Sequence, residues 1–142
     1  MKIALGCDHG GFGLKETVLT VLQQLGHEIR DCGTLDGQAV DYPDIAVAVC
    51  ELVAKGECER GILICGTGIG ISMAANRNPA IRAALCAEAF SARMSREHND
   101  ANVLCLGGRT IGPGQAEEIV RIWLDAEFAG GRHLRRIQMF QQ

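Results

Sequence analysis

Cys65 closes an apolar run, and glycines follow it at 66, 68 and 70 in the stretch GILICGTGIGISMAANR, residues 61–77. A thiol at a strand tip facing the start of a helix sits where the thiolate is favoured, and a thiolate can act as nucleophile or general base. Glycines at alternate positions leave backbone N–H groups uncovered at that helix start. Such a concavity suits an anion, either a phosphate or a developing oxyanion. The same glycines would equally serve a tight turn, and the same cysteine would equally serve as a buried strand end.

Known phosphate loops narrow the choice. The dinucleotide fingerprint G-x-G-x-x-G/A requires a small residue where this chain has Ile71, although Glu88 lies at the distance of a ribose-binding acid. A Walker loop requires Gly-Lys-Ser/Thr, which is absent, and a C-x5-R phosphatase loop requires arginine at Ile71. Other polar groups stand near strand ends: Asp8 and His9 in GCDHGG, and His98 and Asn99 in REHNDANV. Either histidine could move protons, hold phosphate or serve only the structure. No His or Cys spacing suggests a metal site. Arg132 and Arg136, four apart in GGRHLRR, share one helical face; they would grip a phosphate together or form a solvated end.

The elements that must position these residues alternate along the chain. Strands are predicted at KIALGC (2–7), HEIRDCG, GILIC, IRAALC (81–86) and ANVLCLG. Helices are predicted at GLKETVLTVLQQLG, ended by Gly26, and from Pro43 to about Lys55. Further helices are expected at IGISMAANR, AEAFSARMSREH and PGQAEEIVRIWLDAEF, with a short one in the tail after Gly130-Gly131. This order predicts a Rossmann-like three-layer α/β/α sandwich with a five-stranded parallel sheet and a C-terminal helical extension. Ligands bind beyond the carboxyl ends of such strands, where the loops at CDHGG, CGTGIG, CAEAF and GGR fall.

The 142 residues suit a single domain, 1–142, with an ordinary soluble balance of 47% hydrophobic and 22% charged residues. A net charge of −3 and 4% aromatic residues argue against nucleic-acid binding. No apolar run is long enough for a membrane span. Seven cysteines without paired spacing, and a start too short and too early broken by Asp8 for a secretory signal, point to a reducing, cytoplasmic setting.

The motifs GCDHGG, DYPD, GILICGTGIGISMAANR, IRAALC, SREHNDANVLCLGGR and GGRHLRRI, in this order and over nearly the whole chain, resemble ribose-5-phosphate isomerase type B. That family also holds allose- and galactose-6-phosphate isomerases. The resemblance implies interconversion of D-ribose 5-phosphate and D-ribulose 5-phosphate in the pentose phosphate pathway, through a cis-enediol(ate), with no metal or other cofactor. It implies a homodimer, in some members paired into a tetramer, with active sites at the subunit interface. By the same resemblance Cys65 is the base that moves the proton between C1 and C2. Thr67 assists proton exchange between the oxygens, and His98, with Asp8 nearby, opens the furanose ring. The backbone of Gly66, Gly68, Ile69 and Gly70, with Asn99, holds the enediolate charge. His9, Arg132 and Arg136 bind phosphate, Arg109 assists, and Tyr42 lines the sugar site. One branch of the family lacks the cysteine and carries an acid at the position of Ile71, so the chain groups with the cysteine type. A phosphosugar- or nucleotide-binding module without turnover, and an NAD-dependent oxidoreductase, are the rival readings.

Overall fold

The computed structural model describes residues 1–141. Its elements run β1 (Lys2–Cys7), α1 (Phe12–Gln24), β2 (Glu28–Asp31), α2 (Tyr42–Ala54), β3 (Arg60–Cys65), α3 (Ile69–Ala75), β4 (Ala83–Leu85), α4 (Ala89–Glu97), β5 (Val103–Gly107), α5 (Pro113–Asp125) and α6 (Arg132–Phe140). All five strands are parallel, in the order β2-β1-β3-β5-β4. The predicted three-layer α/β/α sandwich and its helical extension are therefore present. No helix among the described residues is long and apolar enough to cross a membrane.

The period-two alternation of strand side chains builds two cores, one on each face of the sheet. Ile3, Leu5, Ile62, Ile64, Leu104 and Leu106 pack with α1, α4 and α5 around the fully buried Trp123. Ala4, Leu63, Cys65, Val103 and Cys105 pack with α2 and α3. Small residues let α2 lie close on its face: a Cβ added at Gly6 would meet Ile45 Cγ2 at 2.6 Å, and one at Gly61 would meet Val49 Cγ1 at 2.8 Å.

Most of the differences from the predicted elements are one or two residues at an element's end, HEIRDCG is a strand only over Glu28–Asp31, and two further shortenings have a visible cause. IRAALC yields a strand only over Ala83–Leu85, because Ile81 and Arg82 form the loop in which the Asn102 side chain accepts the Arg82 N–H at 2.8 Å. The α5 helix stops at Asp125 rather than running to Phe128. Arg60 Nη1 donates to the carbonyls of Trp123 and Leu124, at 3.1 and 3.0 Å, and the chain leaves in an extended conformation at Ala126. Ala129 N–H then donates to Glu97 O, which docks the tail beside the end of α4.

The long connection from β2 to α2 is pinned at its start. Buried Lys15 reaches from α1 to pair with Asp31 at 2.7 Å and to donate to Thr34 O at 2.9 Å. Toward its end Val40 N–H donates to His9 Nδ1 at 3.4 Å, and Tyr42 packs on Gly70. Between these anchors Leu35 is three-quarters exposed.

Candidate active site

The strand order reverses direction at β1 and β3, and a crevice opens at the carboxyl ends of strands around such a point. Asp8 follows β1 and Cys65 ends β3, so the topology brings them to the same place. Asp8 N–H donates to Ile64 O at 3.1 Å, and its Oδ1 accepts the Gly11 N–H at 3.0 Å. The carboxylate is thus fixed within its own turn and nearly buried, at 6% exposure. Cys65 is 5% exposed, and its Sγ accepts the Gly68 N–H at 3.1 Å.

The loop after Cys65 divides its N–H groups. The first helical bond of α3 runs from Ser72 N–H to Gly68 O, so the N–H groups ahead of it are free of the helix. Gly68's is committed to the thiol sulfur and Ile69's to Thr67 Oγ1, at 3.2 Å. Gly70's has no hydrogen-bond partner among the described residues. The N–H of one glycine in the predicted cradle is therefore bonded to the thiol.

Gly68 is obligatory for that geometry. Its φ is +77°, and an added Cβ would lie 2.5 Å from Leu85 Cδ1 and 2.9 Å from the Leu106 backbone. Gly68→Ala is expected to cost about 2–3 kcal/mol of folding stability and to displace the donor from Cys65. A urea titration of the two proteins checks this, and an unchanged midpoint would refute it.

The remaining predicted residues of this edge gather around the loop. Arg109 N–H donates to Gly66 O at 2.9 Å, and its guanidinium lies over Gly66, with Nη1 3.3 Å from where a Cβ would stand. The Tyr42 ring covers Gly70. His9 and Thr67 are exposed at the same rim. A thiol, a carboxylate, a hydroxyl, an imidazole and a guanidinium thus converge where the strands end.

His98, Asn99, Arg132 and Arg136 are not among them. His98 caps the C-terminal end of α4 and Asn99 follows it, in the loop that leads into the start of β5. This is the opposite edge of the sheet, and four residue steps along β5 separate the edges by roughly 13 Å. The α6 helix, with Arg132 and Arg136 exposed on it, docks at this far edge through Ile137, which is 3% exposed. The loop there is rigid for a stated reason. Asp100 has the left-handed φ of 45° and accepts Arg82 Nη2 at 3.0 Å and Arg96 Nη1 at 2.8 Å.

Three functional features escaped sequence reasoning. Glu88 is no ribose ligand: it N-caps α4, and both its oxygens accept the Ser91 N–H, at 2.9 and 3.1 Å. That bonding to Ser91 holds its carboxyl below the usual range. His133 stacks on His98, a pairing for which the only sequence trace is its place between two arginines. Asp100 carried a usable trace, since the Asn-Asp pair suits a left-handed turn. Among the described residues no three His, Cys, Asp or Glu side chains gather as metal ligands.

A parallel α/β sheet with acid–base groups and an uncovered glycine loop at its switch point defines a small-molecule enzyme. The family model described as Ribose/Galactose Isomerase matches residues 3–140. Ribose-5-phosphate isomerase B of Escherichia coli K12 is 50% identical over 137 residues, covering 96% of this chain and 92% of that protein. D-erythrulose-4-phosphate isomerase of Pectobacterium atrosepticum is 42% identical over 139 residues, covering 97% and 91%. The structure of Clostridium thermocellum ribose-5-phosphate isomerase B superposes with a TM-score of 0.97 at 54% identity, covering 99% of this chain and 95% of that one. The chain belongs to the ribose/galactose isomerase family, in the ribose-5-phosphate isomerase type B group.

Proposed function

We propose that the chain interconverts D-ribose 5-phosphate and D-ribulose 5-phosphate through a cis-enediolate. The observation that carries this reading is the Cys65 thiol, held by the Gly68 N–H where the strands end at the switch point. The relatives named as ribose-5-phosphate isomerases supply the substrate class.

The chemistry proceeds in two stages. In the furanose form the C1–O4 bond breaks while the O1 proton leaves and O4 gains one, which yields the open aldehyde. His98 exchanges these protons, aided by Asp8. Cys65 as thiolate then takes the proton from C2 and returns it to C1, while Thr67 passes protons between O1 and O2. Charge on the enediolate oxygen meets the uncommitted N–H groups of the Gly66–Gly70 loop, Gly70's first, the Ile69 N–H once Thr67 Oγ1 turns to the substrate, and the Asn99 amide, an interaction worth several kcal/mol in a dry site. Arg132, Arg136 and His9 hold the phosphate with help from Arg109, and Tyr42 lines the sugar.

These groups sit at two edges of one subunit, roughly 13 Å or more apart. No single substrate bridges them within one chain. We therefore read the working unit as a homodimer in which the Cys65 edge of one subunit meets the His98 and α6 edge of the other. Exposed Ile69, Met73, Leu85 and Phe90 around the Cys65 edge supply apolar surface for that contact. Seven free thiols fit a reducing, cytoplasmic setting.

Proton NMR of D-ribose 5-phosphate in D2O with chelator tests the activity. Ribulose 5-phosphate carrying deuterium at the reacting carbon is expected. Turnover of D-allose 6-phosphate or D-erythrulose 4-phosphate alone would keep the mechanism and change the sugar. Phosphosugar binding without exchange would return the loop to a purely binding role.

A further inference from the structure

The His98 and His133 rings lie face to face, with centroids 4.2 Å apart and planes inclined by 9°. Among the described residues neither ring nitrogen of His98 makes a hydrogen bond. The ring that must direct a proton is therefore aimed by no polar partner. Its terminal torsion is broad and two-fold when nothing packs against it. The flat face of His133 is the packing partner that narrows it.

His133 does not come alone. It lies on the first turn of α6 between Arg132 and Arg136, and the backbone before α6 is tied to α4 by Ala129 N–H donating to Glu97 O at 3.0 Å. Desolvation in the stack, and the charges of His98, Arg132 and Arg136, hold the His133 pKa below its ordinary value. A neutral ring can stay stacked while His98 carries the proton; two imidazolium rings would repel.

We propose that His133 is a positioning residue that fixes the plane of His98 and joins it to the arginine pair on α6, so that phosphate grip and ring opening are set by one helix. This rests on the ring-opening role assigned to His98 above. His133 itself exchanges no proton with substrate.

The two directions of the reaction separate this role from others. Ribose 5-phosphate reaches the enzyme mainly as a closed furanose and requires opening. Ribulose 5-phosphate has its C5 hydroxyl esterified, cannot close that ring, and presents an open ketose. Two variants, His133→Ala and His133→Phe, are compared by kcat and KM on ribose 5-phosphate and by C1-proton exchange of ribulose 5-phosphate in D2O. Inhibition by inorganic phosphate serves as the probe of the phosphate grip.

His133→Ala is expected to lower kcat on ribose 5-phosphate roughly tenfold, the scale of one aromatic pair. Ribulose exchange and phosphate inhibition should stay within about twofold. His133→Phe keeps a flat neutral ring and is expected to restore most of the loss. Equal loss in both directions with weaker phosphate inhibition would make His133 a phosphate ligand and overturn the proposal. Full activity of His133→Ala, or no rescue by a folded His133→Phe, would overturn it as well. A wild-type protein inert toward both sugars would instead remove the isomerase reading, and this proposal with it.

Discussion

Two inactive variants, mixed, are expected to make an active enzyme. Cys65→Ala removes the base proposed to move the carbon-bound proton, and losses of about 10²–10⁴-fold are typical for such a group. The double variant Arg132→Ala/Arg136→Ala removes the two proposed charge-assisted phosphate contacts, each worth about 1.5–3 kcal/mol, for an expected loss of about a hundredfold or more. Both arginines are exposed, so the fold should tolerate their truncation. If each site takes Cys65 from one subunit and the arginines from its partner, a mixed dimer holds one site with both lesions and one with neither. Random reassociation makes about half the dimers mixed, so the mixture should recover about a quarter of wild-type activity. If all these groups served a site within one chain, every subunit would stay damaged and the mixture would remain inactive. Co-expression with two affinity tags, followed by assay of the doubly tagged species, reads the outcome directly.

The second large effect concerns alkaline pH. Burial pushes the thiols of Cys7, Cys50 and Cys86 up to about 11 from 9.0, and Cys105 is pushed further in the same direction. In the unfolded chain these thiols lose their protons near 9, whereas in the folded chain they keep them. Folding is therefore unaffected by them below about pH 8.5, weakens from 9 upward, and has lost their contribution by about 11. Discounted for solvent screening, each such rise in pKa is worth on the order of 1–2 kcal/mol. Together they are a substantial share of an ordinary domain's stability, about 5–15 kcal/mol. Urea midpoints should be flat from pH 7 to 8.5 and fall steeply by 10.5. Cys50→Ala should remove its own part of the fall and leave the parts of Cys7, Cys86 and Cys105. A variant lacking all four thiols with the same pH slope would show that other groups carry the effect.

Much of the architecture is legible in the sequence because the alternation of apolar runs and 3.6-periodic stretches is strong and the punctuation is clear. Gly26 ends α1 at φ +75°, Pro43 opens α2, and the Gly130-Gly131 break precedes α6. Boundaries fail where a tertiary partner decides them, as with the Arg60 side chain that ends α5. For the site, the placement of Cys65 and Asp8 follows from topology alone, since both terminate neighbouring strands. The remoteness of His98 from Cys65 is also implicit in the order of elements. A residue that follows a helix and precedes a strand lies at the amino edge of a parallel sheet. The His98–His133 stack has no such rule behind it. It depends on how the chain turns through Gly130 and Gly131, whose φ angles of 64° and 56° set the direction of α6. Likewise, nothing in the spacing tells whether Gly68 faces a ligand or the sulfur three residues before it.

The connection between β2 and α2 carries a consequence for how such a chain diversifies. Its start is fastened by Lys15, Asp31 and Thr34, and its end by His9 and the packing of Tyr42 on Gly70. The thiol and its donor are held by a separate set of bonds along β3 and α3. Evolution can thus rewrite residues 35–39, in length as well as in side chain, while the thiol and its donor keep their geometry. On the function proposed above, the wall of the sugar site is then an exchangeable part, and a change of preferred sugar need not begin with any loss of catalytic power.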